Sequence, residues 1–562
     1  NMNQLALFIG LFISMVSWSW ASSSSSVPYS RVGKNKIVHH KASQTVQDLH
    51  YKLTLNHQGK DFTSSVQSLI DRVLTRAGVK FTFTPVLEMI DYAVEDGQSF
   101  DVFEIDGNTD TKQVILRGSS GVALSTAFGH YLRYYTNSDF HWEDGGGYSF
   151  LSFPTYVEDL PIPAEKERVV FLSKWRYYQN TCTASYSFAW KTWTQWEADI
   201  DWMALNGFNL PLAFTGQELV WQKLWRQYGV SDAGLQQYFT GPAFLTWQRM
   251  ANIRAFAGPL SDSWINQQAD LQRQILARYA ELGITPVMPA FNGVVPEEMQ
   301  ALFPSANITR LPTWNNFPDE YSCNYILSSS DPLFAEVGKA FLELQFEVFG
   351  ETAKSHIYNC DTFNENKPSS SDYDYLAGSS SAVYNSMISA DPDAVWLMQG
   401  WLFVFDKEFW TDDNIHSYLA GVPDNGMIIL DLSSEDLPVW DKIAANNKQF
   451  IWCMLHNYGG SRALYGNLTL LANDPIEVQK TVPDYFLGTG LTMEAIDQNP
   501  VVYELMSEVS HYRTAPNVTE WVESYVTRRY GLNHPDVTAE QKKLAIVALF
   551  GLFGKKYEGG AP

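Results

Sequence analysis

Between about residue 165 and residue 513 short apolar runs alternate with longer stretches of helical period. The runs are Val169–Trp175, Asn209–Phe214, Thr285–Phe291, His356–Asp361, Val395–Gln399, Met427–Leu432, Phe450–His456 and Tyr485–Leu491. Each has the length and the near-continuous hydrophobicity of a parallel strand buried on both faces. The intervening segments read as helices. In Trp193–Asn206 the residues Trp193, Trp196, Ile200 and Met203 share one face, and Gly207 is the stop. Asp262–Leu282 has Ser261 ahead of it as N-cap and Gly283 behind it. Pro332–Phe349 starts after Asp331 and closes at Gly350. Eight strand–helix units predict a central (β/α)8 TIM-type barrel, with an open doubly wound sheet as the alternative.

Residues 45–160 read as a small N-terminal α/β domain. Its strands are Phe100–Ile105 and Lys112–Leu116, and Arg117-Gly-Ser-Ser-Gly121 leads into the helix Val122–Tyr134. That turn lacks the Gly-Lys-Ser/Thr of a phosphate loop, so it reads as tight glycine packing. Past Asn499-Pro500 comes the helix Val501–Tyr512. From residue 514 the amphipathic stretches Thr519–Tyr530 and Thr538–Phe553 look like the opening of a truncated C-terminal all-helical domain. At the other end, Leu5–Trp20 is apolar and is followed by Ala21 and the serines 22–26. This pattern predicts a cleaved secretory signal over 1–21, a polar linker over 22–44 and no membrane span after cleavage. The sequons at Asn307, Asn467 and Asn517 fit that route as glycosylation sites.

Composition narrows the chemistry. A net charge of −23 and a pI near 4.8 argue against nucleic acid as partner. The four cysteines, Cys182, Cys323, Cys360 and Cys453, have neither zinc-knuckle nor CxxC spacing. No His/Asp/Glu group has metal-ligand spacing either, so neither a metal nor another cofactor is expected.

In a barrel the strand ends carry the chemistry. Here they read Tyr177-Tyr178-Gln179-Asn180, Gly216-Gln217-Glu218, Phe291-Asn292-Gly293, Asn364-Glu365, Gln399-Gly400-Trp401, Asp431, His456-Asn457-Tyr458 and Thr492-Met493-Glu494. Amides and acids suit sugar hydroxyls, and aromatic faces suit sugar rings. Glycosidic cleavage takes two carboxyl groups across the bond, and Glu365 and Glu494 are the best-placed pair. Glu218 opens a helix, where the helix dipole accounts for it. Asp431 is a candidate for lining the cleft or orienting its neighbours. A thiol nucleophile, Cys182 paired with His456, fits this acid-rich lining less well.

Several separated runs then carry a resemblance. They are Tyr177-Tyr-Gln-Asn-Thr-Cys182, Glu197-Ala-Asp-Ile-Asp-Trp-Met-Ala-Leu-Asn-Gly207, Phe239-Thr-Gly-Pro-Ala-Phe-Leu-Thr-Trp247, Asp361-Thr-Phe-Asn-Glu365, Gln399-Gly-Trp-Leu-Phe403, Ile451-Trp-Cys-Met-Leu-His-Asn457 and Gly488-Thr-Gly-Leu-Thr-Met-Glu494. In order and spacing the chain resembles the lysosomal α-N-acetylglucosaminidases, glycoside hydrolase family 89, from about residue 45 to 540. The resemblance implies a retaining exo-hydrolase that removes terminal α-linked N-acetylglucosamine, chiefly from heparan sulfate, in the lysosome. It implies Glu365 as acid/base and Glu494 as nucleophile. It implies Asn180, Cys182, Tyr186, Trp247 and Trp401 as pocket residues. Asn364, Trp452, His456 and Asn457, from the same motifs, complete the candidate substrate-binding set. In the family a helical domain walls the cleft and builds the oligomer, and most of it is missing from this sequence. In an α-linked N-acetylglucosaminide the acetamido group lies cis to the leaving oxygen, so it cannot attack from the opposite face. The protein must supply its own nucleophile. The alternatives are a catalytically silent carbohydrate-binding protein on the same barrel and, more weakly, an inverting glycosidase.

Overall fold

Residue parity along eight short strands decides what faces the barrel axis and what faces the surrounding helices. The strands are β1 (Trp175–Tyr178), β2 (Leu210–Pro211), β3 (Met288–Pro289), β4 (Ile357–Asn359), β5 (Val395–Gln399), β6 (Met427–Asp431), β7 (Gln449–Met454) and β8 (Phe486–Leu491). In this computed structural model, which describes residues 59–554 apart from 96, 144, 460–462, 497 and 533–536, they form one parallel sheet in the order β2-β1-β8-β7-β6-β5-β4-β3. A parallel bridge between Leu212 and Val287 joins the two ends, with Ala213 N–H to Val287 O at 2.9 Å and Val287 N–H to Pro211 O at 2.8 Å. Inside sit Tyr177, Leu210, Ile357, Leu397, Ile428, Ile451 and Cys453, a core separate from the larger one between sheet and helices. Seven of the eight expected runs hold the barrel strands to within a few residues at their ends; the first contributes only its last residue, Trp175.

The helices form where their caps permit. Ser261 accepts the N–H of Trp264, and the helix Asp262–Leu282 buries Ile265, Ala269, Gln272, Ile275, Tyr279 and Leu282 at three- and four-residue spacing. It ends at Gly283, whose φ of +71° is a left-handed cap that suits glycine. Asp331 caps Pro332–Phe349 through the N–H of Leu333.

One boundary differs from the sequence reading. The run Val169–Trp175 is not a single barrel strand. Glu167–Val170 is the edge of the N-terminal sheet, antiparallel to Val102–Asn108, and the barrel begins at Trp175. Arg168 accounts for the switch: its guanidinium pairs with Glu104 of the small sheet at 2.6 Å, whereas Trp175–Tyr178 is buried throughout. The N-terminal sheet has the order 86–89, 113–118, 102–108, 167–170, with helices Thr63–Arg76 and Gly121–Tyr134 beside it. The Gly-Ser-Ser-Gly turn is structural. A Cβ on Gly118 would meet the Leu124 backbone N at 2.3 Å, and the Ser119 and Ser120 hydroxyls both donate to Asp101. Asp101 also receives Arg176 of β1 at 2.6 Å, a buried pair that ties this domain to the barrel.

Helices Pro500–Val509, Val518–Tyr530 and Ala539–Phe553 follow β8. Among the described residues no helix is long and apolar enough to cross a membrane. The expected signal and linker, 1–44, lie outside the described residues.

Candidate active site

Strands β4 and β8 are four positions apart in either direction around the barrel. Their ends therefore face each other across its mouth. Glu365 follows β4 and Glu494 follows β8, and both line one cavity of about 90 Å³. Asn180, Thr181 and Cys182 line it from β1, and Trp247 and Met250 from the segment after β2. Trp314 lines it from the excursion after β3, Asn364 from β4, and Gln399 and Trp401 from β5. All these groups sit at or beyond the C-terminal ends of strands.

The β8 end is fastened to the β1 loop. Asn180 Nδ2 donates to Thr492 O at 2.8 Å, Thr183 Oγ1 to Met493 O at 2.9 Å, and Ile496 N–H to Ser187 Oγ at 3.0 Å. Glu494 N–H donates to Asn457 O at 3.0 Å. The Cys182 thiol lies in the same cavity as the Glu494 carboxyl and interacts with it. Burial, reinforced by the charge of Glu365, pushes the Glu494 carboxyl up to about 7, and the thiol contact only partly offsets this. Burial and the two carboxylates also push the Cys182 thiol up, so it stays protonated and is not a nucleophile of the thiolate kind.

Glu365 is held differently. Trp314 Nε1 donates to Oε2 at 2.7 Å, Trp401 Nε1 to Oε1 at 3.2 Å, and Asn252 Nδ2 to Oε2 at 3.4 Å. Asn364, beside it, donates to Met250 Sδ at 3.3 Å. Tyr186 stands at the rim, its ring edge-on to Trp247 at 5.5 Å. Behind the lining, Asp361 receives the backbone N–H and the side-chain amide of Gln399 at 2.8 and 3.0 Å and so fixes that side chain.

Three expected site residues are not at the cavity. Trp452 falls on the outward parity of β7, between inward Ile451 and Cys453, and its Nε1 donates to Asp474 in the outer helix Leu468–Thr481 at 3.0 Å. His456 is buried against Tyr465 and Tyr503, with Nε2 at 2.9 Å from Asn499 Nδ2, and burial lowers it to about 3. A neutral imidazole there builds the loop and does not pair with Cys182. Asn457 serves through its backbone carbonyl on Glu494 rather than as a lining side chain. Asp431 is buried too: its carboxylate takes the N–H groups of Val439 and Trp440, closing the β6 loop instead of facing the cleft. Glu218 has a stronger partner than the helix dipole, a buried two-bond pair with Arg249.

Trp314, Asn252 and Met250 are missing from the sequence reading. The available signal was a lone indole, Pro312-Thr313-Trp314, in a polar excursion at a strand's C-terminal end. The four cysteines are free, and Cys323, Cys360 and Cys453 are buried. The metal-competent group among the described residues is His356, Asp391 and Asp393. It lies at the start of β4, the barrel end opposite the cavity, and Asp391 already receives Tyr358 at 2.6 Å and His356 at 2.8 Å.

The barrel mouth carries a pH signature. Burial raises Asp361, Asp431 and Glu494 to about 7 and Glu435 to about 8. Folded values above unfolded ones give stability that is full at acid pH and is lost as pH rises through about 7 to 8. The hydrogen bond from His356 to Asp391 raises that histidine, which acts in the same direction. Buried His456 and His511, each lowered to about 3, oppose it only below the ordinary histidine range. The melting temperature should therefore fall as pH rises from about 6.5 to 7.5. Scanning fluorimetry at constant ionic strength tests this, and a rising value would contradict the assignment.

Comparison with known proteins places the whole arrangement. The model of the Alpha-N-acetylglucosaminidase (NAGLU) tim-barrel domain matches residues 176–513, and that of the NAGLU N-terminal domain matches residues 64–155. The human protein Alpha-N-acetylglucosaminidase is 41% identical over 442 residues, which cover 78% of this chain and 58% of that protein. A Clostridium perfringens family 89 protein with two Glu-to-Gln substitutions, solved with its substrate GlcNAc-alpha-1,4-galactose, superposes with a TM-score of 0.79 at 27% identity, covering 91% of this chain and 55% of that one. The family 89 glycoside hydrolase of that organism in complex with PUGNAc also gives 0.79 at 27% identity, covering 94% and 57%. The chain thus spans little more than half the length of these relatives.

Proposed function

Because the chain belongs to the α-N-acetylglucosaminidase family, glycoside hydrolase family 89, we propose that it hydrolyses terminal, non-reducing α-linked N-acetylglucosamine with retention at the anomeric carbon. The observation that carries this reading is the meeting of Glu365 and Glu494, from opposite strands, in one cavity walled by three indoles. Glu494 attacks the anomeric carbon and forms a glycosyl-enzyme, while Glu365 protonates the departing oxygen. Water, deprotonated by Glu365, then releases the sugar. Trp247, Trp314 and Trp401 offer flat apolar faces to the sugar ring, and Asn180, Asn364 and Gln399 offer amides to its hydroxyls.

The physiological glycan we propose is of the heparan sulfate type, and the compartment the lysosome, reached by the secretory route. In support, Asn307 and Asn517 are exposed, while Asn467 is half-buried and caps the helix Leu468–Thr481. The acid-favoured mouth described above suits an acidic compartment.

The direct test is proton NMR of a reaction with an aryl α-N-acetylglucosaminide at acid pH. The α anomer of free N-acetylglucosamine should appear first and mutarotate afterwards. Release of the β anomer first would mean inversion, and binding without release would mean a silent carbohydrate-binding protein.

A further inference from the structure

The cavity that holds Glu365 and Glu494 has a thin wall. Trp247, in the five-residue helix Leu245–Arg249, and Met250, just after that helix, line it. Behind Met250 and Thr181, which line both, is a second cavity of about 30 Å³, lined also by Arg249, Gln217, Asn292 and Asn359. We propose that the buried ion pair between Glu218 and Arg249 is a positioning pair for the sugar site: it sets where Trp247 and Met250 stand, and so how tightly the terminal sugar is held. This rests on the hydrolase reading above and concerns the same site.

A helix of little more than one turn does not hold itself. Packing alone does not hold it either, because a wall with a void behind it lacks contact atoms on that side. Directed bonds fix it instead. Thr246 Oγ1 donates to Thr181 O at 2.8 Å, and Asn292 Nδ2 donates to Arg249 O at 2.7 Å. Ala251, at a φ of +67°, turns the chain, and Asn324 Nδ2 donates to its carbonyl at 2.9 Å. The ion pair adds a side-chain anchor: Arg249 Nε and Nη2 both donate to Glu218 Oε1, at 2.9 and 2.7 Å. Glu218 stands in the first turn of the helix Gln217–Gln227, which packs against the barrel helices Asp262–Leu282 and Pro332–Phe349. One partner is thus carried by the outer layer of the barrel and the other by the short segment at the cavity. A two-bond fork constrains direction as well as distance.

Placement explains this pair better than stability does. The side chains of Glu218 and Arg249 are 1% and 8% exposed, and among the described residues neither Glu218 Oε2 nor Arg249 Nη1 has a hydrogen-bond partner. A buried pair so incompletely satisfied recovers little of its desolvation cost, and apolar residues of similar volume are often as stable in its place. They do not reproduce the direction of the fork.

Glu218→Leu combined with Arg249→Met separates the two roles. The doubly substituted protein should melt close to the wild-type temperature. Its KM for an aryl α-N-acetylglucosaminide should rise about tenfold or more, with kcat changing less. Arg249→Lys keeps a cation but loses the fork. It should raise KM in the same direction, and it stands in for a double variant that fails to fold. A folded variant with wild-type KM overturns the proposal whatever its melting temperature. Loss of kcat at unchanged KM overturns it as well, because the effect would then lie on the reacting groups and not on the wall. A second readout needs no turnover: 19F NMR of protein labelled with 5-fluorotryptophan. The resonance lost in Trp247→Phe should move in both Arg249 variants, and an unchanged position overturns the proposal. The hydrolase reading fails separately, if wild type releases no sugar, and the Trp247 resonance then still decides whether the pair places the wall.

Discussion

Glu494→Gly is expected to lower hydrolysis of an aryl α-N-acetylglucosaminide by about four orders of magnitude or more, and Glu365→Gly by about two to four. The difference follows from the proposed roles. Without a nucleophile no glycosyl-enzyme can form, whereas a good leaving group needs little help from an acid. Added azide sharpens the test. In Glu494→Gly it occupies the vacated side of the ring and displaces an activated α-linked leaving group in a single step, giving the β-glycosyl azide. In Glu365→Gly it intercepts the β-linked glycosyl-enzyme from the other side and gives the α azide. The same azide anomer from both variants would sink the assignment of roles. Nearly full activity in either variant would remove that residue from the chemistry.

Arg528→Leu is expected to cost about 3–5 kcal/mol of stability, the range for removing one partner of a buried ion pair. Arg528 is fully buried in the helix Val518–Tyr530 and donates through Nε and Nη2 to one oxygen of Glu504. Arg133, from the N-terminal domain, approaches Glu504 at 3.4 Å and Glu508 at 3.5 Å, while Arg529 lies 3.4 Å from Asp139. Three distant parts of the chain therefore share one buried cluster. Burial alone would raise Glu508, but Arg133 and Arg528 outweigh it and hold that carboxyl below the usual carboxylate range. Leucine would leave the two buried carboxyl groups, Glu504 and Glu508, without the guanidinium that pairs with them. Arg528→Lys should recover little, because an ammonium cannot reproduce the Nε and Nη2 fork. Urea denaturation followed by tryptophan fluorescence measures the loss. An unchanged midpoint for the leucine variant would show that the cluster contributes little net stability.

Much of this architecture was legible in the chain. Strand runs bounded by glycine and helices bounded by Ser261, Asp331 and Gly283 are local signals, set by backbone hydrogen bonding and conformational freedom within a few residues. They appear where expected because nothing distant overrides them. Glu365 and Glu494 were legible for a related reason: a parallel barrel sends every strand's C-terminal end to one face, so position along the strand already implies a shared rim. The errors were of a different kind. Trp452 was assigned to the site from its motif, although strand parity turns it outward. Of the two roles expected for Asp431, lining the cleft or orienting its neighbours, its carboxylate takes the second, held by the N–H groups of its own loop. The start of the barrel was misplaced because Val169 and Val170 have the hydrophobicity of either sheet, and the antiparallel ladder with Val102–Asn108, beside which Lys166 and Arg168 both pair with Glu104, selects the smaller one.

Local periodicity and capping dictated eight parallel strands, their helices and two glutamates at the same barrel rim, since those depend on neighbours in the chain. Which groups touch those glutamates depended on packing. Trp314, Asn252 and Cys182 come from three loops whose relative positions exist only once the barrel has closed. Burial, which raises the Glu494 carboxyl, is a property of that closed assembly and has no counterpart along the sequence.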